Sequence, residues 1–217
     1  MSIRRLTLGA GYRYLMSSVA RMDEATRASG LTAYYAAKGT PPGRFLGKGL
    51  GGLDNRRGVA PGAEVSEDHL WRLIGMLQDP ITGEALGRAP APVRPAFIDE
   101  NGRLHSASRP VAGFDLTFSA PKSVSVAWAL ADEVTRARIH AAHRRALEVV
   151  IRYAERRVFA TRTGAAGAVS EDINGVVAAA FDHWDSRKGD PQLHTHVTVA
   201  NRVQGPDGRW RTLDSAT

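Results

Sequence analysis

The chain contains no cysteine, which excludes a disulfide framework, a thiolate metal site and a cysteine nucleophile. It has no apolar run near the ~20 residues of a membrane-spanning helix, and its N-terminus lacks the apolar h-region of a secretory signal. A cytoplasmic protein with no membrane segment is therefore expected. Lysine is scarce too: of 29 basic residues only four are lysine and 25 are arginine. Against 22 acidic residues this leaves a net charge of +7. A basic surface favours polyanions, because neutralised phosphates release condensed counterions. Coding bias toward arginine and alanine would give the same excess, so charge alone divides evenly between nucleic acid and a solvated surface. The remainder is ordinary for a globular chain, 43% hydrophobic and 24% charged over 217 residues, enough for one sizeable domain or two small ones.

SIRRLTL (2–8) alternates and predicts an opening strand. Residues 12–22 have helical spacing, with Leu15, Val19 and Met22 on one side. LTAYYAAKG (31–39) predicts a short helix or turn stopped by Gly39 and the Pro41-Pro42 pair. Residues 43–64 hold seven glycines and read as loop with one short strand. Ser66 ahead of Leu70, Leu73, Ile74 and Leu77 predicts an N-capped helix of three turns. Residues 79–110, rich in proline and glycine, predict a loop-rich insertion.

VAGFDLTFS (111–119) alternates, with Phe114, Leu116 and Phe118 facing one way and Asp115, Thr117 and Ser119 the other. Ser119 and Pro121 suit the cap and first turn of a following helix. Residues 132–157 predict the longest helix, with Val134, Ile139, Ala142, Ala146, Val150 and Tyr153 on its buried side. RVFATRTG (157–164), NGVVAAAFDHWDS (174–186) and QLHTHVTVANRV (192–203) predict strands, the last two joined as a hairpin through SRKGDP. Strands and helices do not strictly alternate, so an α+β fold is expected: an antiparallel sheet with helices on one or both faces.

His194 and His196 stand two apart in one predicted strand, so their side chains leave the same face about 7 Å apart. If the hairpin turns at Lys188 to Asp190, His183 falls opposite His194 or His196 and points the same way. Three neutral imidazoles would then converge, a donor set for a divalent metal that leaves positions open for water or a phosphate oxygen. A lone HxH is more often a pair of surface histidines; the third histidine at hairpin-compatible distance reverses that preference. His69, His105, His140 and His143 have no such spacing and read as ordinary polar residues.

Four of the five tyrosines form two close pairs, Tyr12 with Tyr14 and Tyr34 with Tyr35. Tyrosine can attack phosphorus, and an aryl phosphodiester keeps the bond energy needed to reseal a strand. Any single tyrosine is more often an amphipathic packing residue. Asp115 lies on the polar face of an apolar strand, where it could orient a ligand histidine or accept a proton; a plain exposed strand residue is the bland alternative. Ser119, Lys122 and Ser123 surround a predicted helix N-terminus, which suits phosphate but is a weak signal alone.

Together these residues resemble the conjugative relaxases of the TrwC/TraI type, the MobF family. Four segments carry the resemblance: the N-terminal tyrosines, TAYYAAKG followed by GRFLGKGL, FDLTFSAPKSVS, and HWDSRKGDPQLHTHVTVANR. It covers most of residues 1–213 and implies an HUH-type endonuclease fold within a single bacterial relaxase domain. That domain would nick single-stranded DNA at a transfer origin through a 5′-phosphotyrosine and later religate it, working with other conjugation proteins. By position, His183, His194 and His196 match the metal triad, with Mg²⁺ or Mn²⁺ expected and Zn²⁺ an alternative. Asp115 matches the strand acid, in either of its two roles. Tyr34 and Tyr35 match the second tyrosine pair. Relatives often have adjacent tyrosines where this chain reads Tyr12-Arg13-Tyr14; Tyr14 is the expected nucleophile and Tyr12 its rival. Lys122, Ser119, Ser123 and Arg187 are the expected DNA phosphate contacts. The resemblance also implies that the family domain continues past Thr217, so that the chain lacks its C-terminal part. The competing readings are a DNA-binding fragment without cleavage, a replication initiator of the same endonuclease class, and a histidine-triad nucleotide hydrolase. The hydrolase fits least, because Val197-Thr198 offers no further alternating histidine.

Overall fold

A computed structural model describes residues 1–9, 12, 41–186 and 188–214. The two tyrosine-bearing segments at 13–40 lie outside the described residues, as does Arg187. The frame is an antiparallel sheet. Its order is β1 (Ser2–Thr7), β6 (Val111–Ser119), β10 (Pro191–Gln204), β9 (Gly175–Asp185), β2 (Gly43–Leu46) and β3 (Glu64–Val65). β11 (Trp210–Arg211) pairs with the far end of β10.

The long β9–β10 hairpin forms where the sequence alternates valine, alanine and threonine. It turns where Ser186 gathers the loop: its hydroxyl accepts from the backbone N–H groups of Lys188 and Asp190, and Gly189 takes a left-handed φ of 85°. The strand pair was expected to place His183 opposite one of the two later histidines, and His194 is its partner.

Each face of the sheet carries its own core. On one, Leu6, Phe45, Ala179 and Phe181 pack with Leu70, Leu73 and Ile74. On the other, Leu116, Ala178, Ala180, Val197 and Val199 pack with Leu147 and Ile151. The first face is covered by α1 (Glu67–Leu70), which continues as a π-helical turn over Trp71–Met76. The second is covered by α2 (Lys122–Leu130) and α3 (Glu133–Arg157).

Several sequence expectations hold and several need correction. Ser66 caps α1 as expected, and His69 completes the capping box with its own ring. The helix is not three regular α-turns, because it widens into the π-turn and stops at left-handed Leu77. Residues 43–64 are largely turn and loop with one short strand, β2, as expected, but they also bury Phe45, Leu50 and Leu53. The glycines there let the chain hug the sheet; a Cβ on Gly47 would lie 2.1 Å from the Val176 carbonyl oxygen. Residues 79–110 are loop-rich as expected, with a small hairpin of β4 (Phe97–Ile98) and β5 (Leu104–His105). Arg202 holds the segment's start through the Leu86 and Arg88 carbonyls. β7 (Ala160–Thr163) forms, but it pairs with β8 (Val169–Asp172) away from the main sheet.

Ser119 does not cap α2. It remains in β6, and Pro121 holds the cap position with no side-chain bond. The buried side of α3 is also rotated from expectation: Leu147, Ile151 and Glu155 are buried, whereas Val134 and Tyr153 are about 60% exposed. The apolar count missed that polar groups on the sheet, described below, draw the helix face toward His140 and His143.

Candidate metal centre

Cross-strand pairing brings the three histidines together. His194 pairs with His183 on one side and with Ser119 on the other, so His183, His194 and Ser119 occupy one row of the sheet. His196 lies in the next row of the same face, beside Thr117 and Phe181. The three imidazole centroids stand 5.1, 5.1 and 5.3 Å apart. His183 is 3% and His196 7% exposed.

Burial, reinforced by the charges of the other two imidazoles, pushes the His183 pKa down to about 3. Burial lowers that of His194 as well. Both therefore favour the neutral, ligating form at neutral pH. Two of the rings have their Nδ1 atoms spent on fixed acceptors. His194 Nδ1 donates to the Gln192 carbonyl at 2.8 Å. His196 Nδ1 donates to Asp115, 2.9 Å from Oδ2 and 3.1 Å from Oδ1. These bonds fix the tautomer and leave each Nε2 with a lone pair for a cation. Among the described residues no three imidazole, carboxylate or thiolate donors stand in a metal-holding arrangement. The donor chemistry fits a borderline or hard divalent ion with open positions.

Asp115 is 2% exposed and sits on β6 against the imidazole it holds. Of the expected phosphate contacts, Ser119 is exposed beside His194. Lys122 reaches across to the Pro191 carbonyl at 3.0 Å, next to the hairpin loop. Ser123 is exposed on the first turn of α2. Tyr12 is buried, its ring 5.7 Å from that of Trp71. Tyr14, Tyr34, Tyr35 and Arg187 lie outside the described residues.

Sequence reasoning missed a polar group behind the triad. Asp182 and Thr195, each next to a histidine, project to the helix face, where His140, His143 and Arg44 meet them. The signal was present: an Asp and a Thr at the inward positions of an apolar sheet face demand partners. Ser125 on α2 is a smaller omission; fully buried, its hydroxyl accepts the Leu193 N–H just ahead of His194. A cavity of about 840 Å³ between the glycine-rich segment and α3 lies on this helix side, lined by Arg44, Lys48, Arg144, Arg152 and Glu155 among others. It contains none of the triad.

The chain matches the multifunctional conjugation protein TraI of Escherichia coli at 44% identity over 104 residues, 48% of this chain and 6% of that protein. TraI of Escherichia coli strain K12 matches at 42% over the same length. Among solved structures, the conjugative relaxase TrwC in complex with OriT DNA aligns in its metal-free form at a TM-score of 0.65 and 28% identity, covering 98% of this chain and 60% of that one. Its metal-bound form aligns at 0.64 and 28%, covering 98% and 61%. The chain thus spans a small part of TraI and about three fifths of the solved TrwC chains. The family described as TrwC relaxase matches residues 8–217, nearly the whole sheet and all three histidines, and the chain belongs to that family.

Proposed function

We propose that this chain is a metal-dependent DNA strand transferase that nicks single-stranded DNA at a transfer origin and can reseal it. The observation that carries the reading is the paired fixing of His194 and His196 through Nδ1, which leaves the Nε2 lone pair of both rings available to a cation. The TrwC structures with OriT DNA, some of them metal-bound, support it from outside the chain. His183, His194 and His196 would hold Mg²⁺, Mn²⁺ or Zn²⁺. When bound, such an ion supplies Lewis-acid stabilisation of charge on a non-bridging phosphate oxygen.

Tyr14 is the nucleophile. Its phenolic oxygen forms a bond to phosphorus as the bond from phosphorus to the 3′ oxygen breaks. The phenolic proton ends on the 3′ hydroxyl, so one phosphodiester replaces another and the step can run backward. The burial of Tyr12 against Trp71 supports Tyr14 over its rival. Asp115, with both oxygens turned to His196, supports an orienting role over that of proton acceptor. Tyr34 and Tyr35 would serve a second transfer. Exposed Ser119 and Ser123, with Lys122 and Arg187, would hold the DNA backbone at the hairpin mouth. In the cell the reaction would belong to conjugation in the bacterial cytoplasm, alongside other transfer proteins. No helix among the described residues is long and apolar enough to cross a membrane.

The test mixes the protein with single-stranded oligonucleotides from its own replicon's transfer region, with and without Mn²⁺, on denaturing gels. A metal-dependent adduct that is lost in Tyr14→Phe and kept in Tyr12→Phe is the expected result. DNA retention on native gels with metal uptake but no adduct would instead make this a binding module.

A further inference from the structure

We infer that Asp182, Thr195, His140 and His143 form a positioning network on the reverse face of the sheet, which fixes the strand pair that carries the three histidines. The inference rests on the metal-site reading above. In the β9–β10 ladder Thr195 faces Asp182, between the rows that hold His194 with His183 and His196 with Phe181. Neighbouring residues in a strand project to opposite faces. The Asp182–Thr195 pair therefore lies directly behind the ligands.

The bonds there run in one sense. Thr195 Oγ donates to Asp182 Oδ1 at 2.6 Å. Asp182 Oδ2 accepts from His140 Nε2 at 3.0 Å and from Arg44 Nη1 at 2.8 Å. His143 Nε2 meets the Thr195 hydroxyl at 3.0 Å, and because that hydroxyl's proton is committed to Asp182, the imidazole is the donor. One carboxylate thus joins β2, β9, β10 and α3.

Its location explains why a buried carboxylate is used rather than apolar packing, which would hold the helix at least as well. The ladder is irregular between Pro191 and His194 and becomes regular only at His194. The first ligand on β10 therefore sits beside a break in the pairing with β9. A slip of one residue would turn both of its histidines to the helix face. The Asp182–Thr195 bond fastens the ladder one residue past that break, and only one register allows it.

The test measures Mn²⁺ affinity by calorimetry, thermal unfolding, and amide exchange at His194 to Val197. The proteins are the unmodified chain, Thr195→Val, Thr195→Ser and Asp182→Asn. Thr195→Val should weaken Mn²⁺ binding roughly tenfold and speed exchange, while Thr195→Ser, which keeps the hydroxyl, should restore both. Unchanged affinity in Thr195→Val with a lowered unfolding temperature would overturn the inference and leave a merely structural cluster. If Asp182→Asn does not fold, the two Thr195 variants decide alone. If the unmodified chain takes up no Mn²⁺, the metal reading falls separately, and unchanged amide exchange in Thr195→Val would then sink the network.

Discussion

Within a single step along β9 and β10 the two faces of the sheet carry polar groups of opposite character. On the front, His194 and His196 each spend Nδ1 on an acceptor and keep Nε2 in reserve. On the back, Asp182 and Thr195 have their hydrogen bonds met within the cluster by His140, His143 and Arg44. The front is fastened from one side only, by groups that orient without saturating. The back is closed. Buried polar groups that satisfy one another specify a structure, whereas buried imidazoles with unspent lone pairs anticipate a ligand. The same amino-acid type plays both parts, and its hydrogen-bond partners separate them.

Acid should separate the two faces most strongly. In the metal-free protein His183 stays neutral down to a pKa of about 3, whereas an unfolded histidine takes its proton near 6.5. Above pH 6.5 neither state is protonated and the contribution is fully present. As pH falls below 6.5 the unfolded chain gains a proton that the folded chain refuses, and stability declines until the folded pKa is reached. Each unit costs about 1.4 kcal/mol, and His194, also lowered by burial, adds in the same direction. Urea unfolding of the metal-free protein should therefore lose several kcal/mol between pH 6.5 and 4. On the back face the Asp182 carboxylate follows a different window, while His143 beside it, lowered chiefly by burial, shares that of the front-face histidines. Burial alone would raise the Asp182 pKa, but bonds from His140 and Thr195 and the charge of Arg44 hold it well below the carboxylate range. Its contribution is present above about pH 4 and is lost only as pH falls further. A single loss confined to below pH 4 would contradict the front-face assignment.

Arg44→Met should come next in size. The guanidinium is 5% exposed and gives Asp182 a charged partner at 2.8 Å. Removing one member of a buried pair strands the other, at about 3 kcal/mol, read as a lower midpoint in urea at neutral pH. A cost near zero would mean that His140 and Thr195 satisfy the carboxylate without it.

The front face was legible in the sequence because it obeys a period of two. Once the hairpin is placed, the spacing of His183, His194 and His196 leaves only the register open, and the turn at Ser186 to Asp190 sets it. Asp115 was legible for the same reason, as the odd polar residue on an apolar strand. The back face was not, because it joins elements far apart in the chain: His140 is 42 residues from Asp182, and Arg44 is 138. The helix pattern also misled. Val134, Val150 and Tyr153 are apolar in sequence but exposed, since α3 turns its histidines rather than its valines to the polar end of the sheet. Hydrophobic periodicity locates a helix well and finds its buried side only when the surface beneath is apolar throughout.

The finest contrast comes from three histidine–carboxylate contacts of nearly equal length: His105 with Asp99 at 2.8 Å, His140 with Asp182 at 3.0 Å, and His196 with Asp115 at 2.9 Å. Distance does not distinguish them, but setting does. The first is solvated on the β4–β5 hairpin, where screening leaves such contacts with little effect on stability. Asp99→Asn should therefore leave both the unfolding midpoint and Mn²⁺ affinity unchanged. Asp115→Asn preserves shape but weakens the acceptor that fixes the His196 tautomer, and its amide can turn a donor toward Nδ1. Mn²⁺ affinity should then fall roughly tenfold or more, with a much smaller change in stability. If Asp115→Asn instead behaved like Asp99→Asn, the carboxylate would not be setting the imidazole, and a role in taking up the tyrosine proton would become the better account of why it is buried there.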